Sequence, residues 1–201
     1  MEKFAHWQRP KKGKWFTTVD GVIPPADLDF ITRYALWREA TEDWEGDTQS
    51  PGMFAAYSDP VFLFNQARLH PIMEEVTGLR LHQTYNYFRV YRRGAVLDHH
   101  FDRAACEVSC TMHIGSNYGG GWPICAQHES EGEVAIAQKP GDMIAYRGNE
   151  VDHWRDPFDP ALYGGNGDSF HVQVFTHYVD ADGPYADCAG GLPSPQNFVS
   201  Y

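Results

Sequence analysis

The residues best suited to chemistry in this chain lie together at Asp98-His99-His100-Phe101-Asp102, between two strand-like runs. In an extended strand the side chains of residues i and i+2 leave the same face, so His100 and Asp102 can aim an imidazole nitrogen and a carboxylate oxygen at one point. Asp98 and His100 share that spacing, and a one-residue slip would bring His99 to the face instead. The segment therefore supplies two ligands of a metal site, and a third has to come from farther along. His153, in Glu150-Val151-Asp152-His153-Trp154-Arg155, is the natural candidate. Two histidines and one carboxylate on one face of a metal leave the opposite positions open to exogenous ligands, whereas closed zinc sites favour four ligands and cysteine.

Strands have to carry these side chains. Residues 82–91 are rich in aromatic and branched side chains and end in a turn at Arg92-Arg93-Gly94. Further strands are expected over 105–115, 133–138, 142–146 and 169–179, separated by glycine-containing breaks. Ahead of them, residues 15–24 read as a short strand with a turn. A helix is predicted over 25–40, starting at a proline and turning Leu28, Ile31, Tyr34, Ala35 and Trp37 inward. Residues 41–60 read as a long loop. A second helix is predicted over 59–76, capped by Asp59, with Val61, Phe62, Phe64, Ala67, Leu69, Ile72 and Met73 inward and Pro71 breaking or kinking it. Helices followed by a run of antiparallel strands predict a mainly β, α+β fold: a jelly-roll, or double-stranded β-helix, with the helices packed on one sheet.

The ordered pieces of the core resemble the Fe(II)/2-oxoglutarate-dependent dioxygenases of the prolyl 4-hydroxylase-like group. Tyr91-Arg92-Arg93-Gly94 followed by His100-Phe101-Asp102 resembles the Tyr-x-x-Gly strand leading into His-x-Asp. Cys110-Thr111-Met112-His113-Ile114, then Gly119-Gly120-Gly121-Trp122-Pro123-Ile124, resembles the threonine-bearing strand and glycine segment. Lys139-Pro140-Gly141-Asp142-Met143-Ile144 resembles the Pro-Gly-Asp turn that precedes the distal histidine. The resemblance implies that His100, Asp102 and His153 hold Fe(II), with the histidine-then-aspartate order choosing His100 and Asp102 over Asp98. It also implies 2-oxoglutarate and O₂ as co-substrates and hydroxylation of an amino-acid side chain or small metabolite, with succinate and CO₂ released. Fe(II) oxygenases use the open positions of such a triad for co-substrate and O₂.

In the family a Lys or Arg at the start of the last core strand grips the far carboxylate of 2-oxoglutarate, and here this chain departs from the pattern. His171 stands at that place, after an apparent insertion over 156–168. Arg155 is the preferred alternative: two residues beyond His153 on an extended strand it shares that face, and a guanidinium suits a carboxylate bidentately. Tyr91 and Thr111 resemble positions lining the same pocket, while Trp122 and Trp154 flank it and read as core packing. A cupin-like metal oxygenase without 2-oxoglutarate and a non-catalytic jelly-roll binding module are the alternative functions.

Length and charge bound the rest. At 201 residues and 42% apolar composition the chain reads as a single domain, with a helical and loop cover over 1–80, a catalytic core over 81–180 and an irregular tail over 181–201. A formal net charge of −11 argues against a nucleic-acid binder. The basic cluster Arg9, Lys11, Lys12 and Lys14 reads as a solvated tail. No apolar run approaches the ~18 residues of a membrane span, and the first residues do not read as a secretory signal, so a cytoplasmic location is expected, with a small-molecule or peptidyl substrate as partner. Cys106, Cys110, Cys125 and Cys188 lack zinc-finger spacing and are expected reduced and mostly buried.

Overall fold

The strands alternate their side chains between two layers, and that alternation decides where the apolar core and the candidate site lie. A computed structural model of the chain describes residues 16–44, 48–128 and 132–189. The strands are β1 (Phe16–Val19), β2 (Phe54–Tyr57), β3 (Leu81–Arg92), β4 (Leu97–His100), β5 (Val108–Ser116), β6 (Ile124–His128), β7 (Gly132–Ile136), β8 (Met143–Tyr146), β9 (Asp152–Arg155) and β10 (Phe170–Asp180); the helices are α1 (Pro25–Thr41) and α2 (Pro60–Thr77). A six-stranded sheet in the order β1-β8-β5-β10-β3-β2 faces a four-stranded sheet in the order β4-β9-β6-β7, all pairs antiparallel. This is the predicted jelly-roll.

One face of the large sheet is apolar. Phe88 and Val90 of β3, Cys110, Met112 and Ile114 of β5, and Val172, Val174 and Tyr178 of β10 join Leu28, Ile31 and Ala35 of α1 and Phe62, Leu69, Met73 and Val76 of α2 in one buried cluster. The intervening residues point to the other sheet, so that face carries Tyr85, Tyr87 and Arg89, Ser109, Thr111 and His113, and Gln173, Phe175 and His177. The helices thus cover one side, and the polar, aromatic side is left to build a site.

Several expectations need correction. Residues 41–60 are not all loop, because β2 pairs with β3 from Phe54↔Val90 to Tyr57↔Tyr87. Pro71 does not end α2, which continues to Thr77. The helix loses the one bond that the missing N–H would have made, while Leu69, Met73 and Val76 on both sides of the proline stay buried. Trp37 and Phe64 face outward, 58% and 55% exposed, and buried Asn65, Gln66 and His70 take part of the inner face of α2. Gln66 Nε2 donates to the Tyr85 and His177 carbonyls, which repays a polar side chain at this position. The tail after Ala181 includes a short 3₁₀ turn at Ala186–Cys188. The basic cluster at Arg9 to Lys14 lies outside the described residues, and the four cysteines are free thiols, three of them buried.

Candidate active site

β4 and β9 run antiparallel with His100 opposite His153, so the pairing brings together two histidines fifty-three positions apart. β4 ends at His100, and Asp102 lies just beyond it, held by its own backbone N–H, which donates to the Gly148 carbonyl at 2.9 Å. The three side chains meet as the sequence predicted. His100 Nε2 and His153 Nε2 are each 3.8 Å from Asp102 Oδ1. Both rings are locked in one tautomer: His100 Nδ1–H donates to the Asp98 carbonyl at 2.7 Å and His153 Nδ1–H to the Val151 carbonyl at 3.0 Å. Each Nε2 is left unprotonated, the state a metal ligand requires, and at His153 the Tyr146 O–H donates to it at 3.3 Å. Burial lowers the His153 pKa, partly countered by the Asp102 charge, so the imidazole is kept neutral and ready to ligate. Asp98 supplies its carbonyl and not its carboxylate, and exposed His99 stacks on Trp154 with Nδ1 3.0 Å from Asp152.

Behind Asp102 lie residues that the sequence did not point to. Ser109 Oγ–H donates to Asp102 Oδ2 at 2.7 Å, and His177 Nδ1 lies 2.9 Å from the same hydroxyl. Ser109 and His177 face each other across the β5–β10 ladder. Asp102, Cys106 and His177 form a second group whose candidate ligand atoms lie within 4.8 Å of one another. Burial pushes the Cys106 thiol up to about 12, so it is a neutral hydrogen-bonding partner of Tyr85 and not a thiolate. The only early signal for His177 was its phase, since it continues the inward-facing 171-173-175 series of β10.

A cleft of about 340 Å³ opens onto the triad. Its walls include Tyr57, Tyr85, Tyr87, Phe101 and Phe175, with Arg103 at its edge laid 4.8 Å over the Tyr85 ring. The four expected co-substrate residues are not on the walls of this cleft but buried farther along the barrel. Arg155 is 1% exposed, donates from Nη1 to the Trp122 carbonyl at 2.8 Å, lies 4.7 Å over the Trp122 ring and has a buried Nε with no hydrogen-bond partner among the described residues. No carboxylate of the described residues pairs with it. His171 is committed at both nitrogens: Tyr118 O–H donates to Nδ1 and Nε2–H donates to the Gln173 amide oxygen, both at 2.8 Å. Burial, the neighbouring His113 and the Arg155 charge drive the His171 pKa well below its usual value, so it carries no charge near neutrality. Thr111 is tied to Gln173 Nε2 at 2.6 Å, and Tyr91 is fully buried with its ring 5.1 Å from Trp122. Trp122 and Trp154 pack as expected and line no part of the cleft.

No sequence-family model and no curated protein sequence matches the chain. Solved structures do. A prolyl-4-hydroxylase from Pseudomonas putida superposes with TM-score 0.64 at 16% identity, covering 82% of this chain and 92% of that one. The fold is that of the prolyl hydroxylases. The viral collagen prolyl hydroxylase of Paramecium Bursaria Chlorella virus-1, in its 2-oxoglutarate complex, gives TM-score 0.58 at 15% identity over 83% and 96% of the two chains. A Trichoplax adhaerens prolyl hydroxylase with a hypoxia inducible factor peptide gives 0.65 at 10% identity over 94% and 89%. In this prolyl-hydroxylase fold the His100, Asp102 and His153 trio lies between the two sheets, on the face turned away from the helices.

Proposed function

We infer that the chain is an Fe(II)- and 2-oxoglutarate-dependent dioxygenase that hydroxylates an amino-acid side chain or a small metabolite, with His100, Asp102 and His153 as metal ligands. The donor set fits the ion: two imidazoles of fixed tautomer and one carboxylate oxygen converge from a single side. Fe(II) held there supplies the redox chemistry that couples O₂ and 2-oxoglutarate to substrate oxidation.

The observation that carries 2-oxoglutarate is Arg155. A guanidinium buried without a carboxylate is costly, because its hydration is lost and nothing compensates the charge. An anionic ligand removes that cost. Arg155 follows His153 by two residues on β9, a step of roughly 6–7 Å along a strand, which a five-carbon diacid chelating the metal spans. Its orphaned Nε and its remaining Nη are the donors available to the far carboxylate. His171 has no donor left to offer and orients Tyr118 and Gln173 instead. The aromatic cleft with Arg103 among its lining residues receives the group to be hydroxylated.

Anaerobic titration should show one Fe(II) bound per chain, and the iron-loaded protein should convert 2-oxoglutarate to succinate slowly even without substrate. His100→Ala and His153→Ala should each abolish both behaviours. Succinate formation at the unmodified rate in either variant would remove that residue from the ligand set.

A further inference from the structure

A carboxylate ligand has two oxygens, and whether it offers one or both to a metal decides how many positions remain open. Asp102 Oδ1 is the oxygen equidistant from the two histidine nitrogens, whereas Oδ2 is engaged elsewhere. Ser109, fully buried, reaches Oδ2 at 2.7 Å, the Cys106 carbonyl at 3.1 Å and His177 Nδ1 at 2.9 Å. A hydroxyl has a single hydrogen. The shortest and only charged acceptor of the three is Asp102, so that hydrogen goes to Oδ2 and His177 must be the donor to Ser109 Oγ. The result is a directed chain: His177 Nδ1–H to Ser109 Oγ, and Ser109 Oγ–H to Asp102 Oδ2.

The backbone holds this chain in register. Ser109 and His177 are cross-strand partners, His177 is further fixed by Gln66 donating to its carbonyl at 2.9 Å, and its ring packs 4.7 Å from Tyr85. On the far side of Oδ2 lies Gly148, where a Cβ would stand 2.2 Å from that oxygen and 2.7 Å from Ser109 Oγ. The glycine lets the turn after β8 close over the carboxylate, where any side chain at this position would collide with Oδ2, the Cys106 carbonyl and Ser109 Oγ.

We propose that Ser109 and His177 are positioning residues that keep Asp102 a one-oxygen ligand, so that the metal retains the open positions its co-substrate and O₂ need. The proposal rests on the reading of His100, Asp102 and His153 as the metal site. Without the donated hydrogen bond, Oδ2 is free to turn toward the metal and take one of those positions, or the side chain is free to rotate away.

Co(II) titration under anaerobic conditions tests this, since its visible d–d spectrum reports coordination number and geometry. Supporting partners of metal ligands typically change affinity 10- to 100-fold. Ser109→Ala should therefore bind Co(II) at least about ten-fold more weakly and with an altered d–d spectrum, while its circular dichroism remains that of the folded protein. His177→Phe should shift the spectrum in the same direction. His177→Asn should restore it, because the asparagine amide nitrogen occupies nearly the place of Nδ1 and donates the same hydrogen bond. A folded Ser109→Ala protein with unchanged affinity and spectrum overturns the proposal, as does a His177→Asn spectrum matching that of His177→Phe. Failure of the unmodified protein to bind Co(II) overturns the metal site itself and the proposal with it.

Discussion

That His100 and Asp102 come together was readable from their two-residue spacing and the order the family uses, although β4 ends at His100 and Asp102 lies just beyond the strand. The position of Arg155 two residues beyond His153 on β9 was readable from the same spacing. Ser109 and His177 were not, because their roles arise from strand pairing across sixty-eight positions, and a buried serine carries no local signature. The rivalry between Arg155 and His171 shows what side-chain environment adds. Both face the barrel interior, but only the arginine has an unused donor and a charge without a partner. Removing a charge-assisted hydrogen bond costs about 1.5–3 kcal/mol, so Arg155→Ala should raise the 2-oxoglutarate requirement roughly ten- to a hundred-fold, with a smaller rise for His171→Ala. Desolvation lowers the Arg155 pKa from 12.5, yet a guanidinium has a wide margin above neutrality. Burial also holds His171 neutral throughout the working range. The 2-oxoglutarate KM, measured as succinate formed, should accordingly stay nearly flat from about pH 6 to 8. A KM that climbs steeply with pH over that window would move the anchor to a titrating histidine.

At the scale of elements, the long periodic segments were read well, and so were the short β1 and β8, bounded by turn signals, whereas β2 and β6 were not among the expected strands. α1, α2, β3 and β10 carry enough apolar or aromatic residues to declare their period, but β2 and β9 have only four residues each, and nothing in Phe54–Tyr57 marks it as a strand apart from its partner. Trp37 and Phe64 went outward because the sheet surface under the helices is shared with polar contacts that apolar pattern alone does not reveal. The clearest of these contacts is at the start of α2. Asp59 accepts from the Val61 and Phe62 backbone N–H groups at 2.9 and 3.3 Å, accepts from Tyr34 O–H at 2.7 Å, and pairs with Arg38 from α1. Its own N–H donates to Asn86 of β3 at 3.1 Å, so one buried carboxylate joins both helices to the sheet. Asp59→Ala removes a helix cap, worth about 1 kcal/mol, and the charge-assisted hydrogen bonds from Arg38 and Tyr34, leaving Arg38 with Glu42 as its carboxylate partner, for a total of about 3 kcal/mol. The melting temperature should fall by roughly 10 °C. Because the loss lies on the face of the sheet away from the triad, Co(II) affinity below the transition should change little. A drop of only a degree or two would mean that the existing Arg38–Glu42 pair alone holds the two helices together.

For the whole molecule, charge and burial pull stability in opposite directions as pH falls. The net charge of −11 is a source of self-repulsion at neutral pH that protonation relieves, which on its own would make the fold more stable in mild acid. Against this stand imidazoles enclosed between the sheets. Burial lowers His113 to about 4, and His171, stacked on it at 4.1 Å, is lowered further by burial and by the neighbouring His113 and Arg155. Groups depressed in the fold bind protons more readily once unfolded, so their contribution is complete above the unfolded value of ~6.5 and is lost as pH falls toward the folded value. The surface term is the smaller, since exposed charges farther apart than a Debye length of about 10 Å at 0.1 M salt are largely screened. Each buried ring loses about 1.4 kcal/mol for every pH unit below ~6.5, so these two together cost on the order of 4 kcal/mol between pH 7 and 5. The metal-free protein should therefore melt roughly 10 °C lower at pH 5 than at pH 7, scanned calorimetrically in 0.1 M salt. Fe(II) or Co(II) bound at the proposed site should raise the transition at pH 7 by mass action. A metal-free melting temperature that holds level or rises on acidification would show that self-repulsion outweighs the cost of charging the buried histidines.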